Sequence, residues 1–338
     1  MRPMCRRWWK VQRQCSSPTW RIAASPKAGG CRCPSCVCKP RRLSELAARA
    51  TEFPMQELAT GYGLIEAPVW DPAHGLYFSD VLGGGIHLLD RKDKVSLAVP
   101  KRRGIGGMAL HADGGLVAGG RDIVHVSLAD HSMKVLLDRK AADDAVGFND
   151  LTTDGTGRIY VGSIAFAIFK GEEMKPGNLY VIDLDGKARK ISDGILLTNG
   201  LGFSPDGRLL YHSDARRELV RVYDVGDDGA VGHWRAFAAM GPGSVPDGLK
   251  VAVDGSVWVA DAHGGRIAVF AADGRHLRDI QVPRPMVTSL CFGGDDLRDL
   301  YIVTGSRGGP SESCGTVYRM RSDVAGHPLP VARVRIER

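Results

Sequence analysis

The sequence predicts an all-β fold, a six-bladed propeller. Three observations carry this: one short motif recurs six times, its spacing matches a four-stranded blade, and glycine is frequent and dispersed. The 43 glycines among 338 residues recur along the chain rather than clustering, which suits many short strands joined by turns. No helical periodicity of useful length appears beyond residues 43–50.

The motif is a turn with Asp or Gly, a short strand with an aromatic or β-branched centre, and then a small or acidic residue. It reads "AHGLYFSD" (73–80), "ADGGLVAGG" (112–120), "GTGRIYVGS" (155–163), "PDGRLLYHSD" (205–214), "VDGSVWVAD" (253–261) and "DLRDLYIVTG" (296–305). Aligned on Tyr77, Val117, Tyr160, Tyr211, Trp258 and Tyr301, the copies are 40, 43, 51, 47 and 43 residues apart. A four-stranded blade repeats every 40–50 residues or so. A second strand-and-turn segment follows each copy, from "GGGIHLLD" (83–90) to "GTVYRM" (315–320). The regularity over more than 200 residues disfavours a two-sheet sandwich.

Charge and cysteine divide the chain in two. Residues 1–50 hold twelve of the 45 basic residues and one of the 38 acidic ones, so residues 51–338 carry 33 and 37 and a net charge of −4. The overall +7 therefore gives no ground for nucleic-acid binding. Six of eight cysteines lie at Cys5, Cys15, Cys31, Cys33, Cys36 and Cys38, leaving Cys291 and Cys314 in the body, too few for a disulfide scaffold. "CRCPSCVC" (31–38) packs four thiols into eight residues without the separated second pair by which structural zinc sites close a loop. Residues 1–54 are read as a basic, Cys-rich extension, disordered or non-native, with translation starting at Met55; residues 55–338 are the propeller. The chain shows neither a secretory apolar stretch nor a run of about 20 apolar residues, so the expectation is a cytoplasmic protein without membrane contact.

A propeller surrounds a central tunnel, and residues at equivalent places in different blades converge there. Nucleophile and nucleotide motifs are missing: there is no G-x-S-x-G, H-E-x-x-H or P-loop, and "GIGGMA" (104–109) has the wrong glycine spacing and no βαβ context. His212 and His263 lie near strand ends, where a lone histidine is usually a hydrogen-bonded structural residue. What remains is an oxygen-donor set in one register: Glu66 in "IEAPVWD", Asn149 and Asp150 in "GFNDLTTDGTG", Asn199 in "LTNGLGFSPDG" and Asp247 in "VPDGLKVAVDG". Taken singly each is a turn former. Together they suit a hard divalent cation, calcium first, with magnesium or manganese next and zinc least favoured.

The motifs "EAPVW", "FNDL", "TNGLGFSPDG", "VPDGL" and "PRPMVTSLCFGGDDLRDLYIVT" (283–304) resemble those of the senescence marker protein, gluconolactonase and luciferin-regenerating enzyme family, the regucalcin-like proteins, over about residues 60–320. The resemblance implies a six-bladed propeller with one divalent cation in its tunnel, usually calcium. By position it implies Glu66, Asn199 and Asp247 as metal ligands, with Asn149 as a substrate contact or a fourth ligand, as in the related diisopropyl fluorophosphatase type. It then implies hydrolysis of a small-molecule lactone, with Asp247 assisting water attack. The alternatives are a phosphotriesterase-like hydrolase and a non-catalytic calcium-binding scaffold. Three positions depart from the pattern. Ala67 replaces a glycine, which reads as a mild change. Gly147 replaces a sugar-binding arginine of the animal members. The family's glutamate falls near Ala167, with Glu172 and Glu173 the nearest acids to take its place. The loop 164–176 is expected to rim the tunnel.

Overall fold

The computed structural model describes residues 54–336. They form six four-stranded antiparallel sheets, each a blade running from tunnel to periphery. Blade 1 is β2 (Ile65–Asp71), β3 (Gly75–Asp80), β4 (Ile86–Asp90) and β5 (Val95–Val99). Blade 2 is β6 (Met108–Leu110), β7 (Leu116–Ala118), β8 (Ile123–Val126) and β9 (Met133–Leu137). Blade 3 is β10 (Gly147–Thr153), β11 (Ile159–Ile164), β12 (Gly177–Ile182) and β13 (Ala188–Ile195). Blade 4 is β14 (Thr198–Phe203), β15 (Leu209–Asp214), β16 (Leu219–Asp224) and β17 (Arg235–Ala239). Blade 5 is β18 (Pro246–Val251), β19 (Val257–Asp261), β20 (Arg266–Phe270) and β21 (His276–Gln281). Blade 6 is β22 (Met286–Gly293), β23 (Asp299–Gly305), β24 (Gly315–Arg321) and, from the other end of the chain, β1 (Gln56–Tyr62). The expected six-bladed architecture is the observed one. The N-terminal extension, residues 1–54, falls outside the described residues except for Pro54.

The recurring motif marks the second strand of every blade, because that strand is buried on both faces. The six residues of β3 are all buried, whereas the outermost β5 is exposed over its first three. Between neighbouring blades lies apolar core: Ile65 and Phe78 of blade 1, for example, pack with Tyr301 and Val303 of blade 6. Burying one such large side chain stabilises the fold by about 1.5–3 kcal/mol. Ser204-Pro205-Asp206-Gly207 forms the tight turn between β14 and β15. The Gly207 N–H donates to Ser204 O at 2.8 Å, and Gly207 has φ +72°, which glycine adopts without strain.

Two features had no sequence signal. The N-terminal β1 closes the ring by pairing with β24 from Gln56↔Arg319 to Tyr62↔Gly315. After β24, the chain crosses the face formed by the turns between first and second strands, bridging Ala252 to Gly326 and His111 to Ala332. There Arg333 N–H donates to Gly157 O and Arg335 N–H to Leu184 O, both at 2.9 Å. Ala332 and Val334 join the core between blades 2 and 3. Among the described residues no helix is long and apolar enough to cross a membrane.

Deleting residues 327–338 should therefore destabilise the propeller by about 3 kcal/mol or more, from lost burial and orphaned backbone groups. Urea unfolding checks this, and an unchanged midpoint would show that the crossing segment is dispensable.

Candidate active site

The site is made by a backbone irregularity repeated in the innermost strands. In β10, Phe148 pairs with Ser163 and Leu151 with Val161, so Asn149 and Asp150 together face one residue of β11. In β14 the doubled pair is Asn199-Gly200, and in β18 it is Asp247-Gly248. In β2 the bulge immediately follows Glu66 and comprises Ala67-Pro68. A bulge re-aims side chains out of the strand's alternation. Ala67 sits there at φ +54°, a left-handed conformation that costs a non-glycine residue about 1 kcal/mol. The glycine-to-alanine departure is therefore a strained substitution rather than a mild one.

In blades 1, 4 and 5 the start of the inner strand is held by the acid that ends the motif. Asp80 Oδ1 accepts from the Leu64 N–H at 3.4 Å, Asp214 Oδ1 from Leu197 at 3.2 Å, and Asp261 Oδ1 from Val245 at 3.0 Å. Each donor lies two residues before Glu66, Asn199 or Asp247 respectively. The motif shows the three aspartates plainly, but their role could be seen only once the strands were paired. Asp214 is anchored in turn by the fully buried Arg221 guanidinium at 2.6 Å.

Hydrogen bonds tie adjacent inner strands around the tunnel. Thr288 Oγ1 donates to Ile65 O at 2.6 Å, Asn149 Nδ2 to Thr198 O at 2.8 Å, and Asn199 Nδ2 to Pro246 O at 3.3 Å. Asn149 Nδ2 also donates to Asn199 Oδ1. Gly106 is required by proximity, since a Cβ there would lie 1.9 Å from Asn149 Oδ1.

All four predicted site residues, Glu66, Asn149, Asn199 and Asp247, line one cavity of about 520 Å³. Its wall is largely apolar, with Phe148, Ile164, Phe166 and Met286, and the loop after β11 rims it as expected through Ala167 and Ile168. Glu172 is engaged elsewhere, its carboxylate accepting from the Ala167 N–H at 2.8 Å, and neither Glu172 nor Glu173 lines the cavity. Gly147 lines it without a side chain to offer.

The electrostatics are unusual. Burial, then the charges of Asp247 and Asp150, push the Glu66 carboxyl well above the usual carboxylate range. Burial and Asp150 do the same to Asp247, opposed by Arg307. Asp150, buried and opposed by Lys250, is raised to about 6. Glu66 Oε2 is buried without a hydrogen-bond partner. His212 is structural, as expected: fully buried, it meets Thr198 Oγ1 at 2.7 Å, and burial with the Arg221 charge pulls its pKa down to about 3. His263 does line the cavity, where it accepts from Arg307 at 2.8 Å.

Residues 64–306 match the family described as SMP-30/gluconolactonase/LRE-like. The chain belongs to this family. Among its relatives, a 6-deoxy-6-sulfogluconolactonase of Pseudomonas putida is 30% identical over 280 residues, covering 79% of this chain and 94% of that protein. The pentonolactonase XacC of Haloferax volcanii is 30% identical, covering 82% and 97% respectively. The solved structure of a calcium-binding protein, regucalcin, from Agrobacterium tumefaciens superposes with a TM-score of 0.74 at 20% identity, over 83% of this chain and 98% of that one; at that identity it speaks for the fold alone.

A family member's cation has a fitting set of donors here. Glu66 and Asp247 supply buried carboxylates whose pKa values are both raised, Glu66 by burial and then by Asp247, and Asp247 by burial and then by Asp150; among the described residues neither has a bonded counter-ion and Glu66 Oε2 is orphaned, and the asparagines add amide oxygens. Among the described residues no group of three or more His, Cys, Asp or Glu could hold a metal. A set of two carboxylates and two amides contains no such group.

A carboxyl raised on folding adds stability while protonated and loses it as pH rises through the folded-state pKa. The strongly lowered Asp130, at about 2, has finished titrating well below this window. In chelator, the Tm difference between the wild-type chain and the Asp150→Asn variant should fall between about pH 5 and pH 8 as Asp150, near 6, ionises; the buried His212, near 3, acts in the opposite sense and cancels in the difference. Calcium should raise Tm more at the higher pH. A Tm difference that rises across this range would contradict the arrangement.

Proposed function

We propose that the chain is a lactonase-type hydrolase that opens a sugar lactone or related cyclic ester with the help of one divalent cation, calcium first. The observation that carries this reading is the pair of buried carboxylates, Glu66 and Asp247, brought with Asn149 and Asn199 from four blades to one cavity without a cationic partner bonded to either acid. The family and the two lactonase relatives support the reaction class, and two buried carboxylates with two amide oxygens suit calcium.

Glu66, Asn199 and Asp247 would hold the cation, with Asn149 as fourth ligand or substrate contact. When bound, the cation supplies a Lewis acid for the ester carbonyl oxygen. Asp247, ionised beside the cation, would take the proton of the attacking water. Water oxygen joins the carbonyl carbon, the ring C–O bond breaks, the ring oxygen leaves as a hydroxyl, and the new carboxylic acid releases one proton. The bond to Thr198 O fixes the Asn149 amide beside Asn199, so the two amides keep one orientation as substrate arrives. The apolar wall excludes bulk water, which strengthens the electrostatics within.

Proton release from aldonolactones and simple γ- and δ-lactones tests this, with calcium and after chelation. Asp247→Asn should lower kcat/KM by about 10²–10⁴-fold, in the range for removing a positioned base. Wild-type turnover in that variant, or in chelator, would contradict the mechanism.

A further inference from the structure

The face of the propeller that opens onto the cavity carries an excess of unpaired positive charge. Arg103, between β5 and β6, Arg121, between β7 and β8, Arg216, between β15 and β16, and Arg307, between β23 and β24, all line the cavity. These loops lie on the side of the ring opposite the C-terminal crossing, at the end where the inner strands begin. All four arginines are exposed. Among the described residues the only acids lining the cavity are Glu66 and Asp247, both buried.

Some arginines elsewhere on the surface are matched by aspartates, as Arg91 is by Asp295 at 2.6 Å, Arg235 by Asp224 at 2.8 Å and Arg321 by Asp296 at 2.6 Å, while others such as Arg208 and Arg275 are exposed without an ion pair among the described residues. What sets the cavity arginines apart is that four of them border one cavity with no carboxylate closer than 4.0 Å among the described residues. Among the described residues Arg103 and Arg216 make no ion pair, and Arg121 comes no closer than 4.0 Å to Asp122. Arg307 donates to the His263 ring rather than to a carboxylate. Glu172, the acid placed on the neighbouring loop, is engaged by a backbone N–H.

The uncharged part of the wall offers little to a polyol. No Ser, Thr, Tyr or Gln side chain lines the cavity among the described residues; beyond the arginines and the two acids, Asn149, Asn199 and His263 are its only polar side chains. Selection by charge is therefore the strongest recognition this surface can provide. The guanidinium fork matches carboxylate, sulfonate and phosphate oxygens with two parallel hydrogen bonds.

We propose that the cavity mouth selects lactones bearing a permanent anionic group, which the rim arginines Arg103, Arg121, Arg216 and Arg307 bind while the ring carbonyl faces the acidic floor. This rests on the lactonase reading for the chemistry, but the charge selection is separable from it. The anionic group is carboxylate, sulfonate or phosphate, and the residues recognise what these share.

The test uses the full chain and two matched pairs of probes. Binding is measured by calorimetry with methyl β-glucuronide and methyl β-glucoside, which differ in one carboxylate and have no lactone to open. Turnover is measured with the γ-lactones of glucaric acid, which keeps a free carboxylate, and of gluconic acid, which does not. The glucuronide should bind about tenfold or more tightly than the glucoside, as expected for one charge-assisted pair. That preference should shrink as salt screens the exposed rim, and in the Arg121→Gln/Arg216→Gln double variant. Equal binding of the two glycosides by the wild-type chain overturns the proposal, whatever the lactones do. Preferred glucuronide binding with neither lactone opened upholds charge selection and removes the lactonase reading. Turnover of both lactones with equal glycoside binding does the reverse.

Discussion

The cavity floor depends on one constraint, the extra residue inserted near the top of the inner strand. A regular strand sends alternate side chains into the neighbouring blade and cannot place a polar group toward the axis without burying a charge in apolar core. The bulges at Asn149-Asp150, Asn199-Gly200 and Asp247-Gly248, and the one just after Glu66, break that alternation at one height in four blades. The strand ends would be free to slip if Asp80, Asp214 and Asp261 did not hold the backbone N–H groups just upstream. Close packing then sets the spacing between blades. At Gly248 a Cβ would stand 2.1 Å from Ser289 Oγ, so the inner strands of blades 5 and 6 meet only because that position is bare.

The same constraint explains why the floor is electrostatically expensive. Three carboxyls, Glu66, Asp150 and Asp247, are buried within reach of one another's fields, and Lys250 and Arg307 offset the repulsion only in part. Structural acids in this protein are treated differently: Asp214 is bonded to Arg221, and Asp261 to Arg266 at 3.2 Å. An acid cluster left short of counter-charge in a cavity, with one oxygen lacking any partner, favours folding only if something positive completes it.

Much of this was legible in the chain because a propeller repeats its grammar. Tyr77, Val117, Tyr160, Tyr211, Trp258 and Tyr301 mark the second strand of each blade, and the polar residues one strand earlier could be aligned to a common height. Short, exposed outer strands such as Val95–Val99 carry too little apolar pattern to be read. Closure by β1 and the path of residues 326–336 join parts of the chain from 74 to more than 200 residues apart, and local pattern holds no record of such pairings. Asp150 was seen as part of the donor set, but its place beneath the floor, acting through charge on Glu66 and Asp247, needed the bulge geometry. The backbone strain at Ala67 was likewise invisible, because residue type alone does not give φ.

The most direct test of the shared floor is a crystal structure grown with calcium, and with manganese for its anomalous signal. The account predicts one cation in the tunnel, with oxygens of Glu66, Asn199 and Asp247 at about 2.3–2.6 Å for calcium and Asn149 beside it. A cation bound elsewhere, or a tunnel in which Glu66 and Asp247 stay protonated without metal at saturating calcium, would contradict it.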